Sequence, residues 1–152
     1  MITAGRHVTE LPAEDGGDAY ALNDQVGFLL RKAHQRHVAI FSASIDGLTP
    51  PQFAALARLH ELGECSQNHL GQLIAMDAAT IKGVIGRLKA RGLVSVVRHG
   101  EDRRRILLSL TGQGRATVER LFPVAKAITR ETLLPLSVRE AETLVRLLGR
   151  IS

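Results

Sequence analysis

Tryptophan is absent from this 152-residue chain, which holds only one Tyr and four Phe. A core built from it must be aliphatic, assembled from Leu, Ile, Val and Ala. A single Cys rules out an intrachain disulfide and suits a reducing cytosol, so a cytoplasmic location is expected. No run approaches the ~20 apolar residues that a membrane span needs, and no signal-peptide pattern opens the chain. Catalysis is not expected either. There is no Gly-rich phosphate loop, because Gly112-Gln113-Gly114 reads as a helix start, and neither a Ser/His/Asp order nor a paired-carboxylate cleft stands out. His34/His37, or His60 with Glu64 and Cys65, have helical spacing for two metal ligands, but no compact three- or four-ligand cluster appears. No metal and no cofactor is expected.

What the chain does have is positive charge in one place. The net charge is +5. Between Lys82 and Arg105 lie eight Lys/Arg against Glu101 and Asp102, a net of +6 that leaves about −1 for the rest. Such concentration is what a phosphate-binding footprint requires. The cations have no interleaved Trp or Phe, which favours a DNA duplex over a bilayer as partner.

The stretch Ser66 to Thr111 organises the chain. It reads as helix, tight turn, helix, then two strands around a charged tip. Ser66 caps the first helix, with Leu70, Leu73 and Ile74 as its apolar stripe. Asp77 caps the second, where Ile81, Val84, Ile85 and Leu88 recur toward a core and Gly92 follows the end. That stripe leaves Ala78, Ala79, Thr80, Lys82, Gly83 and Arg87 on the outer surface. Small residues let a helix backbone approach a groove floor, while Thr80 and Lys82 offer donors, which is the layout of a recognition helix in a major groove. Lys89, Arg91, Arg98 and Arg104 are candidate phosphate contacts. LVSVV and RILLSL read as strands, with Arg103 at the tip placed to enter a minor groove. Asp102 would be repelled by phosphate and is expected to hold Arg103, Arg105 or Arg87 in position.

Residues 1–18 read as an arm with little periodicity. A long helix is expected from Ala19 to about Ile45, with Leu22, Val26, Leu29 or Leu30, Ala33, His37, Ile40 and Phe41 on its apolar face. Thr49 and the prolines after it open a helix that stops at Gly63. After the strands, Thr111 caps a helix that Pro123 should bend or break and Pro135 should end. Ser137 then caps a last amphipathic helix, with Glu140 completing a capping box. The terminal helices carry more apolar surface than the middle of the chain can cover, and such patches mark interfaces.

HLGQLIAMDAATIKGVIGRLKARGLV, followed by EDRRRILLSLTGQG, resembles the winged helix-turn-helix of the MarR-type bacterial transcriptional regulators. Asp102-Arg103-Arg104, an apolar strand and Leu110-Thr111-x-x-Gly114 are the most specific part. The resemblance covers Tyr20 to the C-terminus and includes LTPPQFAALARL as the family's second helix. It departs at Lys82 and Gly83, where the family more often has Thr and Arg, so base preference is not carried over. It implies a mainly α fold with a small β-hairpin wing. Residues 48–111 would form the DNA-binding unit, and residues 19–47 and 112–152 the helices of a two-fold homodimer. The implied operator is pseudo-palindromic, with half-sites about 10 bp apart.

The family resemblance further implies a crevice for small aromatic anions between the dimer helices and the winged unit. There Arg31, His34, His37 and Phe41, with Phe53 as a ring wall and Arg58 and His60 beyond, would suit a carboxylate or phenolate. The sequence looks closest to regulators of N-heteroaromatic acid catabolism, and a repressor is the expected role. Rival readings are an architectural DNA-coating protein, a protein–protein adaptor, and a metal- or redox-responsive regulator. Cys65 lies just before the reading motif, whereas the family's peroxide sensors carry theirs in the first helix, so a buried inert thiol is expected.

Overall fold

Capping residues decide where most helices begin in the computed structural model, which describes residues 19–98 and 106–152. The helix α1 (Val26–Ser44) starts without a side-chain cap. The others are α2 (Pro50–Leu62), α3 (Gln67–Leu73), α4 (Ala78–Ala90), α5 (Gly112–Leu133) and α6 (Val138–Ile151). Thr49, Ser66, Asp77, Thr111 and Ser137 precede them, and each side chain accepts the backbone N–H three residues on. Each such cap satisfies a donor that the helix cannot, at about 1 kcal/mol apiece. Thr49 with Gln52 and Ser137 with Glu140 complete reciprocal boxes.

Several expectations are corrected. The first helix does not begin at Ala19. A 3-10 turn at Leu22–Asp24 comes first, and Gln25 is extended, its side-chain amide donating back to the Ala21 carbonyl at 3.1 Å. That local bond competes with continuing the helix. Leu73 is exposed, because α3 ends there and only Leu70 of its stripe is buried. Pro123 does not break α5, which runs on to Leu133. Only Phe41 is buried on the apolar face read for α1.

The sheet has three antiparallel strands in the order β1 (Glu64–Cys65), β3 (Ile106–Leu110), β2 (Val94–Arg98). Leu108 sits between Cys65 and Val96 in register, and it is buried. The hairpin was expected; the two-residue β1 was not, since two residues carry no period.

Leu56, Leu59, Leu70, Ile81, Ile85, Leu88 and Val118 are fully buried and join α2, α3, α4 and α5 in one aliphatic core. Two tight backbone approaches close it. A Cβ on Gly71 would meet the Met76 carbonyl oxygen at 3.1 Å, inside the α3–α4 turn, where Ala75 takes a φ of 55°. A Cβ on Gly114 would meet the Leu93 carbonyl oxygen at 1.9 Å, where α5 crosses the exit of α4. By contrast α6 buries none of its residues. Val138, Val145 and Ile151 stand open to solvent, as do Val26, Leu29 and Leu30 of α1.

Candidate nucleic-acid interface and a line of rings

The buried stripe of α4 is the expected one, Ile81, Val84, Ile85 and Leu88. It turns Ala78, Ala79, Thr80, Lys82, Gly83, Arg87 and Lys89 outward, and all are exposed. No acidic residue lies on this helix. Gly83 and Gly86 each have open space where a Cβ would go. Gly86 was missed from sequence, although it lies one turn beyond Gly83 and off the apolar stripe. The face is therefore cationic, smooth and free of packing partners. At its head, Asp77 Oδ1 accepts the Thr80 N–H at 2.7 Å. That backbone bond first, and the Thr80 hydroxyl second, hold the Asp77 carboxyl below the usual carboxylate range.

Arg98 is exposed at the end of β2. Asp102, Arg103 and Arg104, the expected wing-tip residues, lie outside the described residues. Arg91, also a candidate phosphate contact, is exposed, and its Nη1 donates to the carbonyl of Gly47 in the α1–α2 corner. A carbonyl left over at that corner offers a fixed acceptor within its reach.

The residues expected to hold an effector divide into two groups. Four of them form a line of rings with Phe122. His37 meets Phe41 at 6.4 Å between centroids, Phe41 meets Phe53 at 6.0 Å, Phe53 meets Phe122 at 6.5 Å, and Phe122 meets His60 at 5.1 Å. These are tilted or edge-to-face pairs, the arrangement that ring quadrupoles favour. The line crosses α1, α2 and α5, and each end carries a histidine bonded to α5. His37 Nδ1 lies 3.0 Å from Thr132 Oγ1, and His60 Nε2 lies 2.9 Å from Glu119 Oε1. Arg115 adds a cation 3.7 Å from the same Glu119 oxygen.

Arg31, His34 and Arg58 are not brought to this line. Arg31 and His34 are exposed on α1, and Arg58 pairs with Glu61 on its own helix at 2.5 Å. The arginine of α1 that does reach α5, beside His37, was missed. Arg36 donates to the carbonyls of Glu131, Thr132 and Leu134, at 3.0 to 3.2 Å, and so caps the end of α5. Its partners are some 95 residues downstream, where no local pattern points.

Cys65 is buried, and burial pushes its thiol up. Among the described residues no group of three or more His, Cys, Asp or Glu gathers around a metal-sized space, and no helix is long and apolar enough to cross a membrane.

A sequence profile of the MarR family matches residues 46–105. The chain is 40% identical over 134 residues to the HTH-type transcriptional repressor NicR of Pseudomonas putida, covering 87% of this chain and 85% of that protein. A probable transcriptional regulator from Pseudomonas aeruginosa has a similar crystal structure, with 53% identity and a TM-score of 0.82 over 87% of this chain and all of that one. BpsR of Bordetella bronchiseptica, whose DNA binding is regulated by 6-hydroxynicotinic acid, is 44% identical with a TM-score of 0.82, over 90% of this chain and 100% of that one.

Proposed function

This chain belongs to the MarR family, and on that premise we propose that it is a homodimeric repressor released from its operator by a small aromatic acid. It is a winged helix-turn-helix, DNA-binding transcriptional regulator and not an enzyme.

One observation carries the assembly. No residue of α6 is fully buried within the protomer, and Leu144, Leu147 and Ile151 face Val26, Leu29 and Leu30 of α1 across an apolar groove. A patch of this kind in water marks an interface, and a second copy of the same helices covers it with matching chemistry. Residues 19–47 and 112–152 then hold two DNA-binding units, residues 48–111, about one duplex turn apart. Thr80, Lys82 and the small residues Ala78, Ala79 and Gly83 read the major groove. Arg87, Lys89, Arg98 and Arg104 supply the salt-dependent phosphate term, and Arg103 enters the minor groove.

The effector reading rests on the line of rings and on two relatives. NicR is a repressor, and BpsR responds to a hydroxylated N-heteroaromatic acid. A flat acid would have to wedge beside Phe53 and Phe122, which pack on the buried Phe41, with a hydrogen-bonding histidine at either end of the line to fix its polar groups. Binding that prefers a spacing of the two α4 helices unsuited to successive grooves weakens operator affinity by that difference. The work is done where the chromosome is, in the cytoplasm.

Two measurements test the proposal. Thermal melts with 6-hydroxynicotinic acid and simple benzoic acids should show a rise for at least one, since a ligand selective for the folded state adds about 2.7 kcal/mol at a hundredfold excess over its Kd. His60→Ala should blunt that rise, and the same acid should release bound duplex. Sedimentation of Leu147→Asp should give a monomer with lost operator affinity. If no acid shifts the melt and footprints cover DNA uniformly, the architectural reading replaces this one.

A further inference from the structure

The foot of α4 is tied to the rest of the fold at adjacent residues. Arg91, its C-cap, donates through Nη1 to the Gly47 carbonyl, 44 residues earlier in the chain. Gly47 turns the corner between α1 and α2 with a φ of 75°. A Cβ built on it would meet Arg91 Nη2 at 3.4 Å, so the guanidinium lies directly against that corner's backbone. One residue on, the Gly92 carbonyl accepts the Thr111 hydroxyl at 2.6 Å, and the Leu93 carbonyl accepts the Thr111 N–H at 3.1 Å. Thr111 is the N-cap of α5. The exit of α4 is therefore clamped between the α1–α2 corner and the start of α5.

We propose that Arg91 is a positioning residue for DNA binding, a strut that sets the angle of α4 against α1, and not a phosphate ligand. The inference rests on α4 presenting the DNA-reading face. Its guanidinium is committed to a neutral carbonyl of the protein, a charge-assisted bond that fixes direction as well as distance. With α1 in the two-fold interface, the pitch of each α4 follows the pair of α1 helices through this contact. Among the described residues nothing comparable holds Lys89, which stands exposed on the same turn.

The two roles leave different thermodynamic signatures. A cation that neutralises a phosphate releases counterions and adds about 0.9 to the slope of log K against log salt; a strut adds nothing. The experiment uses a duplex enriched from a random pool by the full-length wild-type protein, titrated over a series of KCl concentrations. Arg91→Ala should bind about three- to tenfold more weakly, the range for one exposed charge-assisted bond, with its salt slope equal to that of wild type. Lys89→Ala, run beside it, should lower the slope by about one. Arg91→Gln keeps a neutral donor and removes the charge, so it should recover part of the affinity; it also serves if the alanine variant folds poorly. A slope that drops by about one in Arg91→Ala, or an affinity that does not change, overturns the strut. A wild-type affinity indifferent to salt would instead overturn the DNA-face reading, and the strut with it.

Discussion

Gly114 and Leu93 meet backbone to backbone, leaving 1.9 Å between the Leu93 carbonyl oxygen and the place where a Cβ on Gly114 would stand. In most helices a glycine replaced by alanine gains stability. Here the sign reverses, because the obstacle is main chain and cannot rotate aside. Gly114→Ala should lose at least about 2 kcal/mol in denaturant unfolding. A variant as stable as wild type would mean that α5 and the exit of α4 slide apart freely.

Gly83 and Gly86 call for the opposite result in the same assay. Nothing lies within 4 Å of either Cβ position, so alanine at each should stabilise the protein by roughly 0.5–1 kcal/mol. Operator affinity should nevertheless fall by roughly 1 kcal/mol or more, since the added methyl groups meet the groove floor. More stable variants that bind as tightly as wild type would show that this face keeps its distance from the bases.

Asp77 predicts a pH dependence. Its carboxyl is held below the ordinary range by the Thr80 backbone N–H, so the ionised form is favoured by folding. Its contribution is then present above the usual carboxylate pKa, about 4, and is lost as pH falls through the lowered folded value. Asp77→Asn still caps but does not titrate. Its melting temperature should therefore fall less than that of wild type as the solution is acidified below about pH 4. Parallel declines for the two proteins would dismiss the role of the charge.

Cys65 supplies a test of the redox alternative. Burial raises its thiol pKa, which lowers the fraction of reactive thiolate. Peroxide at concentrations that oxidise exposed thiols should leave operator binding unchanged, and thiol reagents should label the native protein slowly. Rapid labelling with loss of DNA binding would restore a sensing role.

The helix boundaries were legible because caps are local. Thr49, Ser66, Asp77, Thr111 and Ser137 each act on a backbone N–H three residues away, and the pattern for that is in the string itself. The outer face of α4 was legible for the same reason: a stripe of Ile81, Val84, Ile85 and Leu88 determines what faces the other way. The line of rings was legible only in part. His37, Phe41, Phe53 and His60 come together through contacts among α1, α2 and α5, at sequence separations that carry no period. Arg36 looked no different from Arg31 until the end of α5 was seen beside it. Arg91 has the charge of a phosphate ligand, and only the position of Gly47 reveals its bond. Two-residue β1 fell below what alternation can signal.

Pro123, within α5, has a last consequence. It carries no N–H, so the carbonyl of Glu119, one turn earlier, cannot receive the usual helical bond. Upstream of that missing rung, Gly114 is locked onto Leu93; downstream, Thr132 is pinned by Arg36 and His37. The helix runs unbroken through this point, but a ladder short of one rung is where bending forced on it from either end would collect. Glu119 is also the residue whose carboxylate grips His60. The missing rung and the clasp on α2 therefore share one residue, so a bend there would reach α2 through His60.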